Sequence, residues 1–130
     1  MILLDTHALV WALMAPDLLS AKARDAIDTA TGWGVSAASL YEIRYKHMIG
    51  KWPDVAAIAQ DGLAERLTAL GIDVVAASGP VMDRAGGFDW PHRDPFDRMI
   101  VATCLHSRLP LVSRDTTLDT EPSATLNRIW

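Results

Sequence analysis

Met1-Ile2-Leu3-Leu4-Asp5-Thr6-His7 opens the chain. Ile2, Leu3 and Leu4 are consecutive apolar residues with no polar alternation, the pattern of a strand covered on both faces, as in a parallel sheet packed between helices. Asp5 ends that strand. In open α/β sheets the ligand crevice lies beyond the carboxyl ends of the strands, so this carboxylate stands where such folds do their chemistry.

Outward from that strand, Ala8 to Met14 reads as a short helix stopped by Pro16, and Ser20 caps a second helix to about Ala30. Gly32 and Gly34 bracket a turn, with Trp33 to Val35 as a brief second strand. Ser36 caps a third helix to about Met48, ended by Gly50. Pro53 opens a helix running to about Ala69, with Gly71 as its stop. Ile72 to Val75 is a third strand, Pro80 to Ala85 a short helix, Gly86 to Arg93 a loop and Asp94 to about Ser107 a helix. Leu111 to Ser113 makes a fourth strand and Leu126 to Trp130 a fifth. Strands alternating with helices at this rhythm predict parallel β-α-β units with right-handed crossovers. The fold class is therefore α/β, a three-layer α/β/α sandwich around a small parallel sheet.

At 130 residues the chain fits one domain, residues 1–130, able to bury roughly two-thirds of its unfolded surface. Its single cysteine, Cys104, excludes an intramolecular disulfide and fits a reducing compartment, and no export signal opens the chain, so the cytoplasm is expected. The longest apolar run, Ala8 to Ala15, falls far short of the roughly 20 residues that span a bilayer, so no membrane partner is expected. A net charge of −4 argues against passive nucleic-acid binding. It leaves open an enzyme that gathers carboxylates around a divalent cation, where the metal reverses the local sign. Arg44, Lys46, His47, Lys51, Arg93, Arg98 and Arg114 are either solvated charges or local guides for a polyanion.

The acids are not scattered at random. Leu111-Val112-Ser113-Arg114-Asp115 repeats the pattern of Leu3-Leu4-Asp5, so two strand ends present carboxylates to one rim. In the helix after Asp94, counting about 100° per residue places the centre of the apolar stripe within about 10° of Asp97. An acid on that face is paired, metal-bound or titrated upward by burial. Asp94, followed by Pro95, is an expected N-cap, and Asp97 three residues on nearly completes a capping box. Glu42 stands at the border of the buried stripe of the third helix beside Ser39, where it is either a surface partner of Lys46 or a member of the acid group. If Asp5, Glu42, Asp97 and Asp115 converge, each pair about 5 Å apart repels by roughly 3 kcal/mol at an effective dielectric near 20. Several such pairs offset much of the roughly 5–15 kcal/mol that keeps a domain folded. Oxygen ligands without a Cys or His cluster at zinc spacing point to Mg²⁺ or Mn²⁺ as the neutralising ion.

These motifs together, D-T-H at the first strand end, S-x-x-S-L-Y-E-I on a helix, H-R-D-P-F-D-R before a helix and L-V-S-R-D after a strand, resemble a PIN-domain ribonuclease, specifically a VapC-type toxin. The resemblance covers nearly the whole chain. It implies an endoribonuclease using one or two Mg²⁺ or Mn²⁺ ions, an RNA substrate, a homodimer and a VapB-like antitoxin. The family acids fall on Asp5, Glu42, Asp97 and Asp115, with Asp94 as an accessory metal-site acid and Thr6, Ser113 and Arg98 as substrate-side residues. His7 replaces a small polar residue and either caps the first helix or touches substrate. Cys104 reads as core, and Trp90 as packing, a dimer contact or a base-stacking ring. Two alternatives stand beside the nuclease: a catalytically weak PIN-fold binding module, and an Asp-dependent phosphatase or phospho-acceptor domain. The second fits poorly, because a phosphatase of that kind needs an acid where His7 stands.

Overall fold

The computed structural model describes residues 1–130. In chain order the elements are β1 (Ile2–Leu4), α1 (Thr6–Met14), α2 (Ala21–Thr29), β2 (Trp33–Ser36), α3 (Ala37–Met48), α4 (Leu63–Ala69), β3 (Ile72–Val75), α5 (Gly79–Gly87), α6 (Pro95–Ser107), β4 (Leu111–Val112) and β5 (Arg128–Ile129). Single 3₁₀ turns lie at Pro16–Leu18, Pro53–Val55 and Thr116–Thr120. The five strands form one sheet in the order β3-β2-β1-β4-β5, and every neighbouring pair is parallel. The expected three-layer α/β arrangement is what the chain adopts.

The unbroken apolar run of β1 is explained by what covers it. Ile2 and Leu4 pack into a core with Leu9, Val10, Ile27, Ile43 and Leu67, contributed by α1 to α4. Leu3 points to the opposite face, against Ile100, Val101, Cys104 and Leu111. A strand buried on both sides has no solvent face to mark with polar residues. From β1 the chain steps outward to β2 and β3, then returns to place β4 on the other flank of β1. The order therefore reverses between β1 and β4, and the crevice beyond their carboxyl ends is the expected ligand site of a doubly wound sheet.

Three local expectations need correction. The helix predicted from Pro53 to Ala69 is broken: a 3₁₀ turn covers Pro53–Val55, and α4 begins only at Leu63. Asp61-Gly62 is the reason, because Gly62 adopts φ +74°, a left-handed conformation that ends helical continuity. Gly34 is not a turn residue but the middle of β2, paired with Leu3 and Asp73. A Cβ there would stand 3.3 Å from both Leu3 Cδ1 and Val75 Cγ2, so the absent side chain serves close packing. The last two strands are also shorter than expected, Leu111–Val112 and Arg128–Ile129, although Ser113 N–H still donates to Ile129 O at 3.2 Å.

Candidate metal and active site

Asp5 follows β1 directly, its N–H donating to Val112 O of β4 at 3.0 Å. Its Oδ1 accepts the Ala8 N–H at 2.6 Å, which makes Asp5 the N-cap of α1 and starts that helix at Thr6. The cap role considered for His7 thus belongs to Asp5. Thr6 is buried and its hydroxyl donates to Ser39 Oγ at 3.0 Å, tying the start of α1 to α3 one turn before Glu42. Glu42 is itself buried, only 4% exposed, and ion-paired with Lys46. The surface placement considered for Glu42 does not hold, but its pairing with Lys46 does, and the same buried carboxylate faces the acid group.

Asp94 caps α6, its Oδ1 accepting from the N–H groups of Phe96 at 2.8 Å and Asp97 at 3.3 Å. The capping box is not closed in return. Asp97 turns its Oδ2 instead to His92 Nε2, 2.7 Å away. Beyond β4, Asp115 caps the turn Thr116–Thr120, accepting from Thr117 N–H at 2.8 Å and Thr117 Oγ1 at 2.7 Å. Three of these acids thus sit at the N-termini of helical turns, where free N–H groups and the helix dipole favour negative charge.

The structure brings Asp5, Glu42, Asp94, Asp97 and Asp115 onto one cavity of about 410 Å³ whose lining contains no hydrophobic residue. Lys46, Arg114, His7, Thr6 and Thr116 complete its polar wall. The tightest grouping of metal-ligating atoms is His92, Asp97 and Asp115, each within 4.8 Å of the others. His92 carries no helical or strand periodicity that would have linked it to Asp97; its place at the head of H-R-D-P-F-D-R is the only sequence signal.

Burial pushes the Asp5 carboxyl from its ordinary 3.8 up to about 6. The Glu42 and Asp115 charges add to that rise, while hydrogen bonds from Ser113 and the Ala8 N–H oppose it. Asp97 also rises to about 6, through burial first and then the charges of Asp94 and Glu42, against the pull of the bonded His92. His7 is held below its ordinary value, by burial first and then by Lys46 and Arg114, with Glu42 and Asp97 opposing. Both rises are led by burial, and the neighbouring carboxylates add to them, as expected where several acids are drawn together in one polar cavity. Hard carboxylate oxygens in that number fit a divalent cation of the Mg²⁺ or Mn²⁺ type, with Asp5, Glu42, Asp94, Asp97 and Asp115 as candidate holders and His92 as an addition.

Two substrate-side expectations change. Arg98 does not line the cavity: its guanidinium donates to the carbonyls of Ala85, Trp90, His92 and Phe88 at 2.7–2.9 Å, and more weakly to Gly86. A guanidinium so engaged holds the loop before α6 and has no donor left for a substrate. Ser113 is fully buried, donating to Asp5 and accepting the Asp115 N–H at 3.1 Å, so it orients two acids instead of meeting a ligand. Thr6 does line the cavity, with its hydroxyl directed to Ser39. Trp90 is 6% exposed, donates Nε1–H to Thr120 Oγ1 at 2.9 Å and stacks on His92 at 4.6 Å. It packs, and has no face for a base. Cys104 is buried in the core, where burial pushes its thiol far up.

Comparison with known proteins follows the same lines. Solved structures that share the fold include VapBC2 from Rickettsia felis bound to a promoter DNA fragment (TM-score 0.63, 14% identity, all of both chains); FitAcB from Neisseria gonorrhoeae (0.61, 20%, 98% of this chain and 96% of that one); and a toxin–antitoxin complex from Klebsiella pneumoniae (0.60, 15%, 95% and 94%). No curated protein matches the chain by sequence. The PIN domain family model matches residues 2–120, which takes in all five cavity acids, and the chain belongs to the PIN domain family.

Proposed function

We propose that the protein is a metal-dependent endoribonuclease of the VapC toxin type, cutting RNA phosphodiester bonds and held in check by an antitoxin. The observation that carries this reading is the meeting of five carboxylates from four separate chain segments on one polar cavity beside the β1/β4 reversal. PIN domains are generally nucleases, and the structural neighbours come from toxin–antitoxin complexes. A bound Mg²⁺ or Mn²⁺ supplies polarisation of a phosphoryl oxygen and a water of lowered pKa. The chain's own part is to hold that charge in place: Asp5, Asp94 and Asp115 are fixed by helix-cap hydrogen bonds, Asp97 by His92, and Glu42 by Lys46. Family membership disfavours the phosphatase alternative, and a binding module without cleavage is the outcome that would displace the nuclease.

No helix is long and apolar enough to cross a membrane. The homodimer implied by the resemblance has surface to use, since Tyr41, Tyr45 and Met48 of α3 are exposed. The deciding experiment incubates the purified chain with total RNA in Mn²⁺ or Mg²⁺ against EDTA, beside Asp5→Asn and Asp97→Asn. Metal-dependent fragments from the wild type alone are expected. A wild type that yields no metal-dependent fragments from any RNA, while co-purifying with an antitoxin, would leave only the binding module.

A further inference from the structure

A polyanionic substrate approaching five carboxylates needs attraction nearby, and the cavity rim holds a cluster that the proposed hydrolysis does not use. His7, on the first turn of α1, is exposed and lines the acid cavity. Its ring lies 4.7 Å from that of half-buried Trp52, with the planes 32° apart, and 5.6 Å from that of Trp11. Over Trp11, 4.9 Å from the ring centroid, stands the guanidinium of Arg114, which also lines the cavity. Three distant segments meet here: the start of α1, the stretch between α3 and the Pro53–Val55 turn, and the residue just before Asp115.

Two further facts separate this cluster from ordinary packing. Unlike Arg98, Arg114 forms no hydrogen bond or salt bridge, so its donors are free, and only the Trp11 face fixes its position. His7 likewise forms no hydrogen bond, although it is the exposed member of an otherwise half-buried aromatic group that includes Trp130, 5.9 Å from Trp11. A guanidinium seated on an indole keeps its N–H groups in the ring plane available to phosphate oxygens. An exposed ring backed by a second ring is a platform on which a base can stack whatever its identity.

We propose that His7, Trp52 and Arg114 form a nucleotide-binding subsite beside the acidic cavity, in which an unpaired base of single-stranded RNA stacks on His7 backed by Trp52 while Arg114 takes the neighbouring phosphate. The subsite rests on the ribonuclease reading and deepens it: the strand is steered at the rim, and bases locked in a duplex cannot reach the platform. Lys46, paired with Glu42, stays with the acids.

The test is fluorescence anisotropy of a labelled, unstructured RNA oligonucleotide of mixed sequence, titrated with the full chain in EDTA so that no metal-dependent cleavage intrudes. His7→Ala and Arg114→Ala are both exposed changes and are each expected to weaken binding about tenfold, the size of one lost stack or phosphate contact. Arg114→Ala should also flatten the salt dependence by about 0.7 in log–log slope. Trp52→Phe should retain most of the affinity that Trp52→Leu loses, and the same RNA annealed to its complement should bind less well. Wild-type affinity in His7→Ala and Arg114→Ala, or a wild type that binds no single-stranded RNA, overturns the subsite. A parallel Mn²⁺ cleavage assay separates the two claims: cleavage by the wild type with unaltered affinity in both variants sinks the subsite alone, whereas absence of cleavage sinks the nuclease reading.

Discussion

Asp97 is held from two sides, its N–H donating to Asp94 Oδ1 and its Oδ2 meeting His92 Nε2. Its carboxyl nonetheless remains near 6, because burial and neighbouring acids outweigh the histidine. Asp97→Asn is therefore expected to abolish metal-dependent cleavage while leaving the melting temperature in EDTA equal or higher; a clear fall would refute the electrostatic account. The sign of the pH dependence follows from the same shifts. Asp5 and Asp97 both bind protons more tightly folded than unfolded, so their contribution is full below 3.8 and is lost as pH rises through about 6. The metal-free protein should lose on the order of 3 kcal/mol per carboxyl across that window. Urea melts in EDTA at a series of pH values would show it, and the Asp5→Asn, Asp97→Asn double variant should flatten the curve. Glu121 works in the opposite sense. Burial alone would raise its carboxyl, but hydrogen bonds from Ser123, Leu126 and Thr125 together hold it below its ordinary value, so its contribution is lost as pH falls through that depressed value.

At the scale of elements, α6 organises the site through its N-cap and first turn. Its N-terminus is capped by Asp94, its flank carries Asp97, and Arg98 bonds back to the end of α5 and the following loop that supplies His92. Five carbonyls converge on one planar guanidinium, a geometry that an ammonium cannot reproduce. Arg98→Lys is expected to cost about 2–4 kcal/mol in urea denaturation, and a loss below 1 kcal/mol would show that the loop holds itself. The apolar stripe of this helix was readable because its period is local. Its pairing with His92 was not, since residues outside the helix fall outside any periodic count. The broken helix before α4 shows the converse. The Asp61-Gly62 signal lay in plain view but was outweighed by a long run of helix-compatible residues, and only the positive φ of Gly62 decides it.

Across the whole molecule, the cavity exists because a parallel sheet sends every strand's carboxyl end to the same rim. Occupation of that rim by a cation should stabilise the folded chain. Millimolar Mn²⁺ or Mg²⁺ is expected to raise the melting temperature, by about 1.4 kcal/mol of stability at tenfold over Kd. Asp5→Asn should weaken the effect, and no shift at millimolar metal would mean that the acids hold no ion. The sequence alone determined the strand–helix rhythm, the acids at the ends of β1 and β4 and the inward face of Asp97, because each follows from neighbours a few residues away. Only the tertiary structure decided that Arg98 serves the backbone, that Ser113 serves Asp5, and that His7, Trp52 and Arg114 share one rim. Those are choices among partners distant in the chain, made by which side chains the crossovers bring within hydrogen-bonding or stacking distance.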